Sequence, residues 1–156
     1  MKMSALEREF HRKVASYCFN HAWDLLDKKN RSPAEDSELL NLAHASRYHW
    51  GLVGTPTNRA VGEWQLSRIY AELGHPRLAL TYAKRCHANC KENKLSEIEH
   101  TANEAMARAY AVAKDYQKAR NYLQVAHRQL DRLVLDKEDR RLYLDQLNET
   151  AALIRG

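Results

Sequence analysis

Three stretches of the chain, each offset from the one before by 40 residues, carry small or apolar side chains at the same helical spacing. The steps between these positions are 4, 3 and 4 residues in every stretch, which places the side chains on one face of an α-helix. The positions are Leu39, Ala43, Ser46 and Trp50; Ala79, Ala83, Cys86 and Cys90; and Ala119, Leu123, Ala126 and Leu130. A fixed period of this length predicts a stack of helical units, in which no unit buries its apolar face without a neighbour.

Helix start and stop signals divide the chain into seven predicted helices, and the sequence has no alternating run rich in β-branched residues that would predict a strand. Ser32 and Ser96 begin capping boxes, Thr55 and Pro56 form a helix start, and Gly74 marks a helix end. The predicted fold class is therefore all-α. We expect a single domain over residues 1–156, with helical hairpins at about 5–51, 56–93 and 96–135 and a capping helix at 137–154.

Length, hydropathy and cysteine usage limit the class of protein. A chain of 156 residues can bury a core without disulfides. The charged N-terminus lacks the apolar segment of a signal peptide, and no apolar run is long enough for a membrane span, so we expect a cytoplasmic protein without a membrane partner. Cys86 and Cys90 fall on the small-residue stripe, which favours a core role over a metal site. We predict no metal and no cofactor.

Positive charge is concentrated on the predicted fourth helix. Residues 77–95 contain five basic side chains and one acidic side chain, whereas the whole chain has a net charge of +5. This face can attract an acidic partner. It lacks the aromatic or glycine pattern of a nucleic-acid module, so we interpret it as a solvated outer face and expect no nucleic-acid partner.

Residues 56–135 resemble tetratricopeptide repeats. The first helix of each such unit carries a Leu, a small residue and a Tyr, the turn carries Gly, and the second helix carries Ala, an aromatic and Ala at steps of four and three. This chain departs from the pattern at Lys114, which replaces the Gly of the second unit, and at Ala83 and Leu123, which replace the aromatic. The matching positions are Leu66, Ser67, Tyr70, Gly74, Ala79, Ala83 and Cys86 in one unit, and Met106, Ala107, Tyr110, Ala119, Leu123 and Ala126 in the next. The chain as a whole also looks like bacterial proteins of this type. The resemblance implies a right-handed α-solenoid of about three antiparallel hairpins, followed by a capping helix.

Members of this family bind partners in a concave groove lined by the first helix of each unit. Carried over to this chain, that implies a groove site made of Trp64, Arg68, Glu104 and Arg108. Arginine forks bind carboxylates and a Trp supplies a large apolar anchor, so we expect a protein or peptide partner with acidic or carboxylate groups. The competing interpretation is that Glu104 and Arg108 form an ordinary helical ion pair and that Trp64 packs in the core.

A second hypothesis comes from the histidines of the predicted second helix. His44 and His49 lie in a segment rich in aromatic and polar side chains, and Glu63 and Glu104 are predicted on helices nearby. A pocket around His44, Glu63 and Glu104 would make the chain a small-ligand or metal-binding protein, with an enzyme among the possibilities. The chain contains no phosphate-binding loop, nucleophile elbow or zinc-protease motif, so we predict a non-enzymatic scaffold. The sequence makes no prediction of oligomeric state.

Overall fold

The computed structural model describes residues 2–155, and within that range it contains seven α-helices and no β-strand. The all-α prediction is confirmed, and the ends of the predicted domain, residues 1 and 156, lie outside the described range. The helices are α1 (Ala5–Leu26), α2 (Pro33–Val53), α3 (Pro56–Glu72), α4 (Pro76–Glu92), α5 (Glu99–Val112), α6 (Tyr116–Asp131) and α7 (Lys137–Leu153). No helix among the described residues combines the length and the apolar composition that a membrane span requires.

Polar side chains cap most of the helix N-termini. Ser4, Ser32 and Thr55 each form a capping box, and Asp136 caps α7 by accepting a hydrogen bond from the backbone N–H of Asp139. The capping box predicted at Ser96 is wrong, because residues 96–98 form a turn and α5 begins at Glu99 without a side-chain cap.

Two helix-ending turns have the same geometry at the 40-residue offset. Gly74 and Lys114 both adopt a left-handed backbone, with φ of 78° and 65°. After each of them, the next backbone N–H bonds to a tyrosine carbonyl, His75 to Tyr70 at 2.8 Å and Asp115 to Tyr110 at 3.0 Å. This pattern satisfies carbonyls that the end of a helix leaves free. Glycine adopts the left-handed conformation without strain, whereas Lys114, which has a Cβ atom, adopts it at a cost in conformational free energy.

Each helix packs on the next one along the chain, and α5 also packs on α3. The small-residue stripes of the three stretches lie in these contacts: Ala43, Ala83 and Ala119 are all buried, and Cys86 and Cys90 fill equivalent core positions. Small side chains let neighbouring helix backbones approach closely, so the stripe predicted the buried face of α2, α4 and α6.

The last helix packs on both α5 and α6. Leu147 is its buried anchor and shares a cluster with Ala126 and Leu130 of α6, and Leu144 packs at the edge of that cluster. Leu147 and Leu144 therefore dock α7 on α6, whereas Ala151 on the same helix is exposed. Contact with α5 brings α7 over the residues that the sequence singled out as a binding site.

Candidate functional site

An open groove of about 600 Å³ lies between α1, α3, the start of α5, and α7. We call it the groove. Its lining residues are Phe19 and Trp23 of α1, with Asp27 at the C-cap of that helix; Val61, Trp64 and Arg68 of α3; Ile98 and Thr101 at the start of α5; and Leu142, Tyr143, Asp145, Gln146 and Glu149 of α7. Aromatic and aliphatic side chains supply most of this surface, and one of them, Leu142, is 54% exposed. Concave apolar surfaces with a few polar groups are the usual form of a binding site.

Two tryptophans and an arginine form one wall of the groove. The ring centroids of Trp23 and Trp64 lie 5.4 Å apart, and the guanidinium carbon of Arg68 lies 5.4 Å from the centroid of the Trp23 ring. The cation is attracted by the negative face of the indole ring. α1 and α3 are therefore joined by aromatic contact at this point, and Arg68 is held flat against the wall.

A buried polar network lies behind this wall and centres on Glu104, which is 2% exposed. Its carboxylate accepts hydrogen bonds from Trp64 Nε1 at 2.8 Å, Arg108 Nε at 2.9 Å and Thr150 Oγ1 at 2.5 Å. Burial by itself raises the pKa of Glu104, but the Arg108 charge and the three hydrogen bonds outweigh it, and the pKa lies below its ordinary value. Glu104 is therefore an ionised structural group that joins α3, α5 and α7.

A carboxylate of α7 lies against both arginines of the predicted site. Glu149 of α7 accepts a hydrogen bond from Arg68 Nη2 at 2.6 Å and forms an ion pair with Arg108 Nη2 at 3.5 Å. Arg108 is only 7% exposed. The structure thus brings Trp64, Arg68, Glu104 and Arg108 together, as the sequence predicts, and it covers them with α7. Trp64 packs in the core and Glu104 pairs with Arg108, which are the features of the competing interpretation.

The residues of the alternative pocket have separate partners. His44 Nε2 lies 2.8 Å from the Tyr70 hydroxyl, and burial lowers the pKa of His44. The Nδ1 atom of His49 lies 2.6 Å from that of His11, and Glu63 accepts a hydrogen bond from Arg47 Nη2 at 2.9 Å. These contacts do not draw His44, Glu63 and Glu104 into one site.

The cysteines of α4 lie in the core. Cys86 and Cys90 are buried free thiols, and the neighbouring Cys90 thiol together with burial raises the pKa of Cys86. Among residues 2–155, no group of three or more His, Cys, Asp or Glu side chains is arranged to hold a metal ion.

Several groove residues were missed by reasoning from the repeat. The 40-residue period assigns Asp24 of the first helix as the equivalent of Trp64, and Leu144 of the last helix as the equivalent of Glu104. The side chains that line the groove are the neighbours Trp23 and Tyr143. The spacing of Phe19, Trp23 and Asp27 at steps of four was the signal that could have found the α1 wall.

Stability should depend on pH through His100, which is 1% exposed and packs edge-on against Tyr143. Burial lowers its pKa from 6.5 to about 4. The unfolded chain therefore binds the proton more readily than the folded chain, so the stabilising contribution is complete above pH 6.5 and is lost as the pH falls towards 4. We expect the free energy of unfolding to drop by at most about 3 kcal/mol over this range on account of His100.

Urea unfolding at a series of pH values measures this effect. The variant His100→Phe keeps an aromatic ring against Tyr143 but does not titrate, so its stability should fall less between neutral and acidic pH than that of the wild type. Parallel pH profiles for the two proteins would show that His100 does not carry the effect.

Comparisons with protein-family models, with curated proteins and with solved structures found no match to this chain.

Proposed function

We propose that this chain is a non-enzymatic, tetratricopeptide-like scaffold that binds a peptide segment of a partner protein in the groove. The observation that carries the proposal is the groove itself, whose aromatic and aliphatic lining spans helices from both ends of the chain. Aromatic side chains supply large contact areas at low entropic cost, and they are common energetic centres of protein interfaces.

Equivalent contacts at the 40-residue offset support the repeat part of the proposal. Tyr70 stacks on Tyr82 with ring centroids 5.6 Å apart, and Tyr110 stacks on Tyr122 at the same distance. Both pairs join the first helix of a proposed hairpin to its second helix. Together with the two matching left-handed turns, they support two successive units of one design. We propose a right-handed stack of about three such hairpins, with α7 as the capping helix.

Peptide binding is preferred over the small-ligand alternative because the polar side chains of the alternative pocket already have hydrogen-bond partners within the protein. His44, Glu63 and Glu104 each have a protein partner, whereas the groove presents apolar surface without one, including Leu142. A side chain that enters the groove would gain roughly 1.5–3 kcal/mol from burial if it is a large apolar one.

The experiment is a selection of random short peptides displayed on phage against the purified protein, followed by affinity measurements on enriched peptides. Leu142→Ala removes an apolar side chain from the groove and should weaken binding roughly tenfold, because about 1.4 kcal/mol of apolar contact is lost. Leu78→Ala is the matched control, since Leu78 is 43% exposed on α4, away from the groove. Failure to enrich any peptide, or equal affinities of the two variants, would contradict the proposed function.

A further inference from the structure

The groove is acidic in a chain that is basic overall. Three carboxylates line it, those of Asp27, Asp145 and Glu149, against the single guanidinium group of Arg68, whereas the whole chain has a net charge of +5. Arg68 is bound to Glu149 through Nη2, and its Nε and Nη1 atoms have no hydrogen-bond partner among the described residues. Because Arg68 and Glu149 balance each other, the net charge of the groove is negative, and it comes from Asp27, at the C-cap of α1, and Asp145, on α7.

Asp27 is exposed, and two of its basic neighbours, Lys28 and Arg31, are paired with other carboxylates. Lys28 forms an ion pair with Glu35, and Arg31 bonds to Asp36 at 2.7 Å and to Glu72 at 3.0 Å. Arg31 also donates to the carbonyls of Leu25, Leu26 and Lys28 at the end of α1.

Asp145 is exposed on α7. Within residues 2–155, the ion pairs of the structure include neither Asp27 nor Asp145. Both carboxylates are thus free to pair with a guest.

Resting on the proposed function, we infer that the groove takes a basic peptide segment, in which an apolar or aromatic anchor residue is flanked by Lys or Arg. The anchor packs against Trp23, Tyr143 and Leu142, and the flanking cations pair with Asp27 and Asp145. Complementary charge at the edge of an apolar site speeds encounter and fixes the orientation of the guest. This partner has the opposite charge to the acidic one predicted from the sequence, because Glu149 balances the charge of Arg68 while Asp27 and Asp145 stand outside the ion pairs of the structure.

The same peptide selection tests the inference. We expect enriched peptides to carry Lys or Arg close to a Leu, Phe or Trp. The double variant Asp27→Asn with Asp145→Asn should bind them about fivefold more weakly, since two exposed ion pairs of about 0.5 kcal/mol each contribute about 1 kcal/mol together. Added salt should weaken binding to the wild type more than to this variant. The double variant Glu92→Gln with Asp131→Asn makes the same change in net charge at exposed positions on α4 and α6, and it should bind as the wild type does.

The outcomes separate the two proposals. Enriched peptides that are acidic, or basic peptides that bind equally to both double variants, would overturn the inference, while a loss of affinity in Leu142→Ala would still support peptide binding in the groove. A selection that enriches no peptide would overturn the inference and the proposed function together. Thermal melts of all variants check that each is folded.

Discussion

Replacement of Arg108 with alanine is expected to lower the free energy of unfolding by about 3–5 kcal/mol. The guanidinium group is almost fully buried and bonds to Glu104, which is buried as well. Without Arg108, the Glu104 carboxylate must stay ionised without its compensating charge or take up a proton in the core, and both cost free energy. Urea unfolding at neutral pH measures the loss.

Two further variants show whether the buried charge is the cause. Arg12→Ala removes an exposed arginine from α1 and should change stability by less than about 0.5 kcal/mol. The double variant Arg108→Ala with Glu104→Gln should recover part of the lost stability, because the uncompensated charge is then gone. A loss in Arg108→Ala no larger than that in Arg12→Ala would mean that Arg108 is exposed, as a partner-binding arginine of an open groove would be.

Leu147→Ala is expected to destabilise the protein by about 2–5 kcal/mol. Leu147 is 1% exposed and is the buried apolar anchor of α7 against Ala126 and Leu130. Its truncation leaves a cavity under a helix that has little other buried apolar surface, so the loss combines the transfer free energy of the side chain with the cost of the cavity.

The control for this variant lies on the same helix. Leu142→Ala truncates a side chain that is 54% exposed, so it should cost less than about 1 kcal/mol of stability. Thermal or urea unfolding of both variants gives the comparison. Equal stabilities would mean that α7 is not anchored through Leu147, and the account of how α7 covers Arg68 and Arg108 would then be wrong.

The sequence predicted the helices and their buried faces because both depend on local chemistry. Ser32 and Pro33 are local signals for the start of a helix, and the 4, 3, 4 spacing of small residues marks a helix face that packs closely on its neighbours. The turn at Leu95–Ile98 was missed, because Ser96 has the sequence of a cap while the backbone there forms a turn before α5 begins.

The site was predicted only in part, because its outer members come from helices that do not follow the repeat. Trp64 bonds to Glu104, and Arg68 and Arg108 both pair with Glu149, so these four residues lie close together. Glu149 and Trp23 come from α7 and α1, whose positions depend on long-range packing that no period encodes. The net charge of the groove depends on Glu149, so it could not be derived from the 40-residue spacing alone.

The most direct test of the groove as the binding site is a two-dimensional ¹H–¹⁵N NMR titration with a peptide from the selection. The indole N–H signal of Trp23 reports on the groove, and the backbone amides around Leu78 report on a surface outside it. Binding in the groove predicts that the Trp23 signal shifts in proportion to occupancy while the amides near Leu78 stay in place. A peptide that binds with the Trp23 signal unchanged and the amides near Leu78 shifted would contradict it.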